Sequence, residues 1–147
     1  MQVAPTSGKV VGFTSVVGDL LHAGHIAMLR ECRKYCDYLI VCVMANIDGR
    51  EGKNTPVQSL FERCWQVKHT ASVDEVYCCE SEADLLLALK VVRPFIDVRF
   101  VGDDYRGTDF TGRDYCEKSG LRIIFNRRDH GLGSSELRRR IEGKVAR

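Results

Sequence analysis

The chain has 147 residues, enough for one domain with its own hydrophobic core, and we expect a single domain over residues 1–147. Its 22 basic and 20 acidic residues leave a net charge of +2. This balance excludes a polybasic nucleic-acid coat protein or membrane-surface binder, so any recognition of an anion must be local. The sequence contains no apolar run of about 18 residues, and we therefore expect no membrane insertion.

Seven cysteines are present, an odd number without a Cys-x-x-Cys pair. Cys42, Cys64 and Cys78 lie in apolar runs that are typical of buried thiols. The N-terminus lacks the basic and apolar regions of a signal peptide. These features favour a reducing, cytoplasmic environment over a secreted disulfide framework.

Strands and helices are predicted to alternate along the chain. In chain order, the patterns predict strand 9–14, helix 25–35, strand 38–45, a polar loop over 46–55, helix 58–71, strand 75–79, helix 82–92, strand 98–101, helix 113–118, strand 121–125 and helix 134–142. Several strands are apolar throughout, as in parallel sheets that are covered on both faces. We therefore predict an α/β fold, a Rossmann-like three-layer α/β/α sandwich around a five-stranded parallel sheet.

Two histidines stand three residues apart where the first strand gives way to a helix, in the segment Asp19-Leu-Leu-His22-Ala-Gly-His25. A helix N-terminus presents unpaired N–H groups and the positive end of its dipole, which together suit a phosphate. His22 and His25 can donate hydrogen bonds to phosphate oxygens, and Gly24 lets a phosphate approach the backbone. One histidine at a helix start would be ordinary. The spaced pair on a glycine turn indicates a phosphate site.

Parallel sheets bind ligands beyond the C-terminal ends of their strands. The histidine turn, the loop 46–55, the turn at Gly102 and the segment 126–133 all follow strands, so we expect them to line one cleft. In the loop, Lys53 could neutralise phosphate as a mobile point charge, although a lone loop lysine is more often only solvated. Arg63, taken alone, is as well explained by a surface position.

A glycine turn with two carboxylates follows the fourth strand, in Gly102-Asp103-Asp104-Tyr105. The glycine permits a tight turn, the aspartates offer polar groups, and Tyr105 offers a ring face to a base. Paired aspartates after a strand can also bind Mg²⁺ or merely cap a turn, and the spacing leaves these alternatives open.

A second anion site is predicted before the last helix, where Arg128, Gly131 and Gly133 precede Ser134 and Ser135. Either serine would cap the helix while leaving N–H groups for a phosphate, and Arg128 could reach that phosphate with its guanidinium group. A plain capping motif would explain the serines alone.

Two helix starts that could each bind phosphate lie on one sheet, and this favours a ligand with several phosphates. Cationic donors are present without a Walker lysine motif, and this combination favours nucleotidyl transfer. The acceptor's phosphate oxygen would attack the α-phosphate of a nucleoside triphosphate and expel pyrophosphate, without a protein nucleophile. His22 and His25 would stabilise the α-phosphate, and Lys53 would hold both reacting phosphates. Arg128 and the last helix start would hold the pyrophosphate.

These motifs closely resemble the cytidylyltransferase branch of the HxGH nucleotidyltransferase superfamily, above all the small glycerol-3-phosphate cytidylyltransferases. Residues 19–25 match the first signature, and Gly102-Asp-Asp-Tyr105 is similar to the family's Gly-Asp-Asp-Trp. Arg128 with Gly131-Leu-Gly-Ser-Ser135 is similar to Arg-x-x-Gly-Ile-Ser-Thr-Thr. The likeness covers about residues 9–141.

The resemblance implies that His22 and His25 contact the CTP phosphates, Lys53 bridges nucleotide and acceptor, and Arg63 lies near the cytidine pocket. It also implies Mg²⁺ as cofactor, without a metal site built by the protein, and a homodimer that acts on CTP and a phosphorylated small-molecule acceptor. The nucleotide-binding residues that it implies are Val17, Gly18, Asp19, His22, Gly24, His25, Arg63, Gly102, Asp103, Asp104, Tyr105, Arg128, Gly131, Ser134 and Ser135.

Three departures from the family pattern bear mainly on the nucleotide. Val17 and Gly18 stand where the family has Thr and Phe, Tyr105 replaces Trp, and Gly133 replaces a hydroxyl residue. An adenylyltransferase using ATP is therefore an alternative, as is a catalytically silent nucleotide-binding module. The acceptor stays open among glycerol 3-phosphate, phosphoethanolamine, phosphocholine and sugar phosphates.

Overall fold

The computed structural model describes residues 7–45, 55–127 and 130–143. Its strands are β1 (Val11–Val16), β2 (Tyr38–Met44), β3 (Glu75–Cys79), β4 (Val98–Gly102) and β5 (Arg122–Asn126). Its α-helices are α1 (Ala23–Cys32), α2 (Leu60–Lys68), α3 (Glu82–Val92), α4 (Arg113–Lys118) and α5 (Ser134–Ile141), with short 3-10 turns at Arg93–Phe95 and Asp103–Tyr105.

The five strands form one sheet in the order β3-β2-β1-β4-β5, and every neighbouring pair is parallel. The predicted Rossmann-like α/β fold is therefore confirmed. The order reverses between β1 and β4, and ligands of such sheets bind at that point, beyond the strand ends. The histidine turn follows β1 and the Gly102 turn ends β4, so both lie at this position.

Two apolar clusters cover the two faces of the sheet. On one face, Phe13 and Ile40 pack with Leu85 and Leu89 of α3 and Cys116 of α4. The other face is covered by a second set of buried residues from the sheet, α1 and α2: Leu29, Cys32, Leu39, Val41, Val67 and Phe100. Burial on both faces explains why the strands read as continuous apolar runs.

The predicted bounds agree with the structure for α3 and α4 and differ by a few residues for α1, α2 and β1. The bounds of α3 match the prediction, because Ser81 and Asp84 form a capping box at its start. β1 instead lies two residues later than predicted, over Val11–Val16. Its ladder continues through Ser15 because that residue pairs with Cys42 of β2, a contact that local patterning does not show.

The cysteines depart from the prediction of three buried thiols. Cys42 is buried but forms a disulfide with Cys79, which joins β2 to β3. Cys78 is exposed, and its Sγ lies 2.7 Å from Sγ of the half-buried Cys64 on α2. The prediction fails for Cys64 and Cys78 because β3 is an edge strand, so its outer surface is only partly covered.

No helix in the three described segments is both long enough and apolar enough to cross a membrane.

Candidate functional site

His22 is the N-cap of α1, and its ring is part of the cap. Nδ1 of His22 accepts a hydrogen bond from the backbone N–H of Gly24 at 3.1 Å. Nδ1 of His25 accepts from the backbone N–H of His22 at 3.4 Å. The two histidines therefore form a reciprocal capping box, a task that Ser or Thr with Glu or Gln usually performs.

The cap fixes the tautomer of both rings. A neutral imidazole carries its hydrogen on one nitrogen and accepts on the other. Because Nδ1 accepts in both rings, Nε2 carries the hydrogen in both. The ring centroids lie 4.0 Å apart, so two N–H donors stand side by side at the start of α1. This arrangement can bind the oxygens of one phosphate group.

His22 is kept neutral at physiological pH. Burial, and secondly the nearby His130, lower the pKa of His22 below its ordinary value of 6.5. His130 itself accepts a hydrogen bond on Nδ1 from the backbone N–H of Leu132. His130 therefore belongs to the surroundings of His22, although the sequence reasoning did not select it.

Gly24 has a packing role that differs from the predicted one. A Cβ at this position would lie 2.7 Å from the carbonyl oxygen of Leu132 and 2.9 Å from the ring of His22. The space beside Gly24 is thus filled by protein, and glycine is needed so that the segment before α5 can touch α1. The expected approach of a phosphate to the backbone at Gly24 stays a prediction.

A cavity of about 100 Å³ lies between the start of α1 and α5. It is lined by His22, Ala23, Leu132, Gly133, Glu136, Leu137 and Arg140. The two helix starts that were predicted as anion sites are therefore adjacent, as the strand-end rule requires.

Asp19 connects three parts of the site. Its buried carboxylate accepts hydrogen bonds from the backbone N–H groups of Val57 and Gln58, ahead of α2. It also accepts from Nη2 of Arg138 on α5 at 2.6 Å. Asp19 was predicted to bind nucleotide, but these protein donors occupy its carboxylate. Its role is to position the surrounding segments, and Gln58 and Arg138 are partners that the sequence did not reveal.

The turn from β1 to α1 is tightly bent. Gly18 has φ +72° and Leu20 has φ +49°, a left-handed conformation that is costly for a leucine. The backbone N–H of Leu20 donates to Oε1 of Gln58 at 2.7 Å, which helps to hold it there. A Cβ on Gly18 would lie 3.2 Å from Val67, so this glycine packs against α2.

Arg63 is buried and bonded to backbone carbonyls around the ends of β1 and β2. It is 2% exposed. Its Nη1 donates to the carbonyls of Val17 and Met44, its Nη2 to that of Ala45, and its Nε to that of Gln58. The alternative reading of Arg63 as a surface residue is therefore wrong, and its place among the nucleotide-binding residues stays a prediction. The guanidinium group satisfies carbonyls that the ends of β1 and β2 leave without sheet partners.

The turn after β4 keeps its polar groups at the surface. Asp103–Tyr105 forms a 3-10 turn in which Asp104 is exposed and Tyr105 is half-buried. The ring of Tyr105 packs edge-on against Phe110, with 6.3 Å between the centroids. Tyr105 follows β4, beside the point where the strand order of the sheet reverses. Its contact with a nucleotide base stays a prediction.

The start of α5 differs from the predicted serine cap. Gly133 is the N-cap, and no side chain caps the helix. Ser134 and Ser135 are instead the first two helical residues, so the prediction that either serine caps α5 is wrong. Gly131 has φ +61°, where glycine is favoured, and this conformation turns the chain into the helix. Lys53 and Arg128, two of the four predicted catalytic residues, lie outside the described residues.

The described part of the chain offers no resident metal site. No group of three or more histidine, cysteine, aspartate or glutamate side chains is placed there to hold a metal ion. Asp19 is occupied by N–H donors, and Nδ1 of both histidines accepts from the backbone. Magnesium ions in nucleotide enzymes are held largely by substrate phosphates and water, which needs no such cage.

Comparison with known proteins agrees with this geometry. The cytidylyltransferase-like family matches residues 19–139. The bifunctional protein HldE of Granulibacter bethesdensis is 36% identical over 118 residues, which cover 79% of this chain and 24% of that protein. HldE of Gluconacetobacter diazotrophicus is 31% identical over 141 residues, 95% of this chain and 28% of that protein. The chain thus spans about a quarter of the length of these relatives.

Solved structures share the fold. The lipopolysaccharide core biosynthesis protein of Thermoplasma volcanium has a TM-score of 0.63 at 24% identity, covering 82% of this chain and 96% of that one. Pantothenate synthetase of Thermus thermophilus has a TM-score of 0.60 at 17% identity, covering 87% of this chain and 61% of that one.

The fold and the histidine cap define a nucleotide-binding domain of the doubly wound class. The family match spans most of the chain and includes both helix starts, so the protein belongs to the cytidylyltransferase-like family of nucleotidyltransferases. The resemblance drawn from the sequence motifs is confirmed at this level.

Proposed function

We propose that the protein transfers CMP from CTP to a phosphorylated small molecule, giving a CDP-linked product and pyrophosphate. The observation that supports this most is the histidine capping box, in which Nδ1 of both rings accepts from the backbone at the helix start that follows β1, so that Nε2 of both rings carries the hydrogen. Such donors match the charge that develops on a phosphate under attack.

The reaction needs no protein nucleophile. An oxygen of the acceptor phosphate attacks the α-phosphorus of CTP, the bond to the bridging oxygen of the β-phosphate breaks, and pyrophosphate leaves with the electron pair. Nε2–H of His22 and His25 donates to the α-phosphate oxygens as charge accumulates on them. The uncapped start of α5 would receive the β- and γ-phosphates.

Lys53 and Arg128 complete the proposal on the basis of the sequence motifs. Lys53 would bridge the acceptor phosphate and the α-phosphate, and Arg128 would hold the leaving pyrophosphate. Mg²⁺ would enter as the magnesium complex of CTP, as part of the substrate. The proposal also includes a homodimer in the cytoplasm.

Transfer of AMP from ATP is the second candidate. It is favoured by Gly18, which packs against Val67 where the resembled enzymes carry a phenylalanine, so the nucleoside pocket lacks that ring. The acceptor is proposed only as a phosphate ester of a small alcohol or sugar.

The decisive experiment offers each nucleoside triphosphate with Mg²⁺ and a panel of phosphorylated alcohols and sugars, and follows pyrophosphate release. We expect turnover with CTP and one acceptor class. Turnover with ATP alone would replace the cytidylyl assignment by the adenylyl one. Tight CTP binding with no turnover on any acceptor would support a silent nucleotide-binding module instead.

A further inference from the structure

Cys64 and Cys78 lie together outside the nucleotide site. Cys64 is on α2, Cys78 is on the edge strand β3, and their Sγ atoms are 2.7 Å apart. A disulfide bond is about 2.05 Å long, so the two sulfurs need only a small further approach to bond. The neighbouring Cys79 points to the opposite face of β3, where it is bonded to Cys42 and takes no part.

We propose that Cys64 and Cys78 form a thiol–disulfide modification site, in which exposed Cys78 reacts with a low-molecular-weight disulfide and Cys64 then resolves the adduct. The proposal is independent of the reaction that the nucleotide site performs.

Exposure distinguishes this pair from the other thiols. Cys32, Cys36 and Cys116 are buried. Burial also raises the pKa of Cys32 to about 12 and that of Cys36 to about 11, which leaves little reactive thiolate. Cys78 is the exposed free thiol among the described residues, so an incoming disulfide meets it first.

The order of events follows from the surroundings of Cys64. Burial, and secondly the contact with Cys78, raise the pKa of Cys64 to about 12, so Cys64 is a poor first nucleophile. Once Cys78 carries an adduct, its sulfur is no longer a thiolate that accepts the hydrogen of Cys64 or repels a charge there. Cys64 then becomes the thiol that is placed to attack.

With oxidised glutathione as the disulfide, the steps balance. The Cys78 thiol loses its proton, its thiolate attacks one sulfur of glutathione disulfide, and one glutathione thiolate leaves and takes up a proton. The Cys64 thiol then loses its proton, attacks Sγ of Cys78 and expels the second glutathione in the same way. Two protein thiols are oxidised by two electrons, and one glutathione disulfide is reduced to two glutathione molecules.

The bond would tie α2 to β3 across a separation of 14 residues. α2 also carries Arg63, three of whose hydrogen bonds join the ends of β1 and β2. Cross-linking a loop of this size restricts the unfolded chain, and we expect the melting temperature to rise by roughly 5–10 °C.

The test treats the full chain with oxidised glutathione and maps the product by non-reducing trypsin digestion and mass spectrometry. Trypsin places Cys64 alone in the peptide 64–68, Cys78 with Cys79 in the peptide 69–90, and Cys42 in the peptide 35–50, which the Cys42–Cys79 disulfide joins to 69–90. We expect the wild-type protein to give the peptide 64–68 joined by a second disulfide to the linked pair 69–90 and 35–50, without retained glutathione. Cys64→Ser should instead keep one glutathione on Cys78, and Cys78→Ser should give neither product nor the rise in melting temperature.

Cys116→Ser is the matched control, because it removes a buried thiol remote from the pair, and it should behave as the wild type does. The proposal is overturned if the wild-type protein retains glutathione on Cys78, if the peptide 64–68 links elsewhere, or if Cys64→Ser leaves Cys78 unmodified.

Discussion

Arg138 and Asp19 form an ion pair of 2.6 Å that spans 119 residues of sequence and joins α5 to the turn carrying the histidines. Asp19 is buried, so removing the cation leaves a carboxylate with only its two backbone donors. We expect Arg138→Gln to lower the free energy of unfolding by about 1–3 kcal/mol, measured by urea denaturation. Arg139→Gln, which breaks only a pair with Glu136 at the surface of the same helix, should cost less than about 0.5 kcal/mol. Equal effects of the two changes would contradict the positioning role of Asp19.

Each histidine caps α1 through Nδ1 and is proposed to donate Nε2–H to a phosphate, and substitutions can separate these two roles. Asn at position 22 can still accept from the N–H of Gly24, and Gln at position 25 can still complete the capping box. Neither supplies the Nε2–H donor. His22→Asn and His25→Gln should therefore keep their melting temperatures within a few degrees while losing about 10²- to 10³-fold in turnover. Full turnover in either variant would refute the proposed role of that ring.

Stability should depend on pH through His22. Because its folded pKa is lowered, the unfolded chain binds this proton first as pH falls. The contribution of His22 to the free energy of unfolding is therefore fully present above the ordinary pKa of 6.5 and is lost as pH drops from there toward the folded pKa. A proton on Nδ1 would also face the N–H of Gly24 and break the cap. Urea midpoints measured from about pH 7.5 to about pH 5.5 should fall more steeply for the wild-type protein than for His22→Asn.

Gly24 tests the contact between α1 and the segment before α5. Alanine normally favours a helix, but here its Cβ would meet the Leu132 carbonyl and the His22 ring. We expect Gly24→Ala to destabilise the protein by about 1–3 kcal/mol and to weaken nucleotide binding. Gly133→Ala has open space around its Cβ and, although alanine is a poorer N-cap than glycine, should cost less than Gly24→Ala in thermal melts. A stabilised Gly24→Ala protein would show that the two segments do not touch.

Arg63 should matter for stability, with or without nucleotide. Lysine has one ammonium group and cannot reach the four carbonyls that the guanidinium group satisfies. Arg63→Lys should therefore lower the free energy of unfolding by about 3 kcal/mol in the absence of any ligand. Arg30→Lys, at an exposed site on α1, is the control and should change little. An unchanged melting temperature for Arg63→Lys would contradict this structural role.

Local patterns predicted the order of elements well because each is encoded within a few residues. Glu82–Val92 is defined by its capping box and its apolar positions, and Pro94 follows in a 3-10 turn. The histidine turn was likewise visible in the sequence, because two imidazoles three residues apart on a glycine turn indicate a phosphate site, whereas their capping of α1 was not predicted.

The site was harder to predict where roles depend on partners distant in sequence. Asp19 and Arg63 have the residue types of ligand contacts, yet most of their bonds go to segments 18 to 119 residues away. Ser134 and Ser135 looked like caps, but the chain enters α5 through Gly133. Cys78 followed an apolar run, and only the strand order places it at an open edge.

The neutral tautomer of the two capping histidines also limits the long-range electrostatic attraction between the site and its substrate. Two hydrogen-bond donors without net charge act only at contact, and added salt barely screens them. Any long-range attraction for a triphosphate must therefore come from the cationic side chains around the helix starts, and this part of the affinity alone should weaken as ionic strength rises.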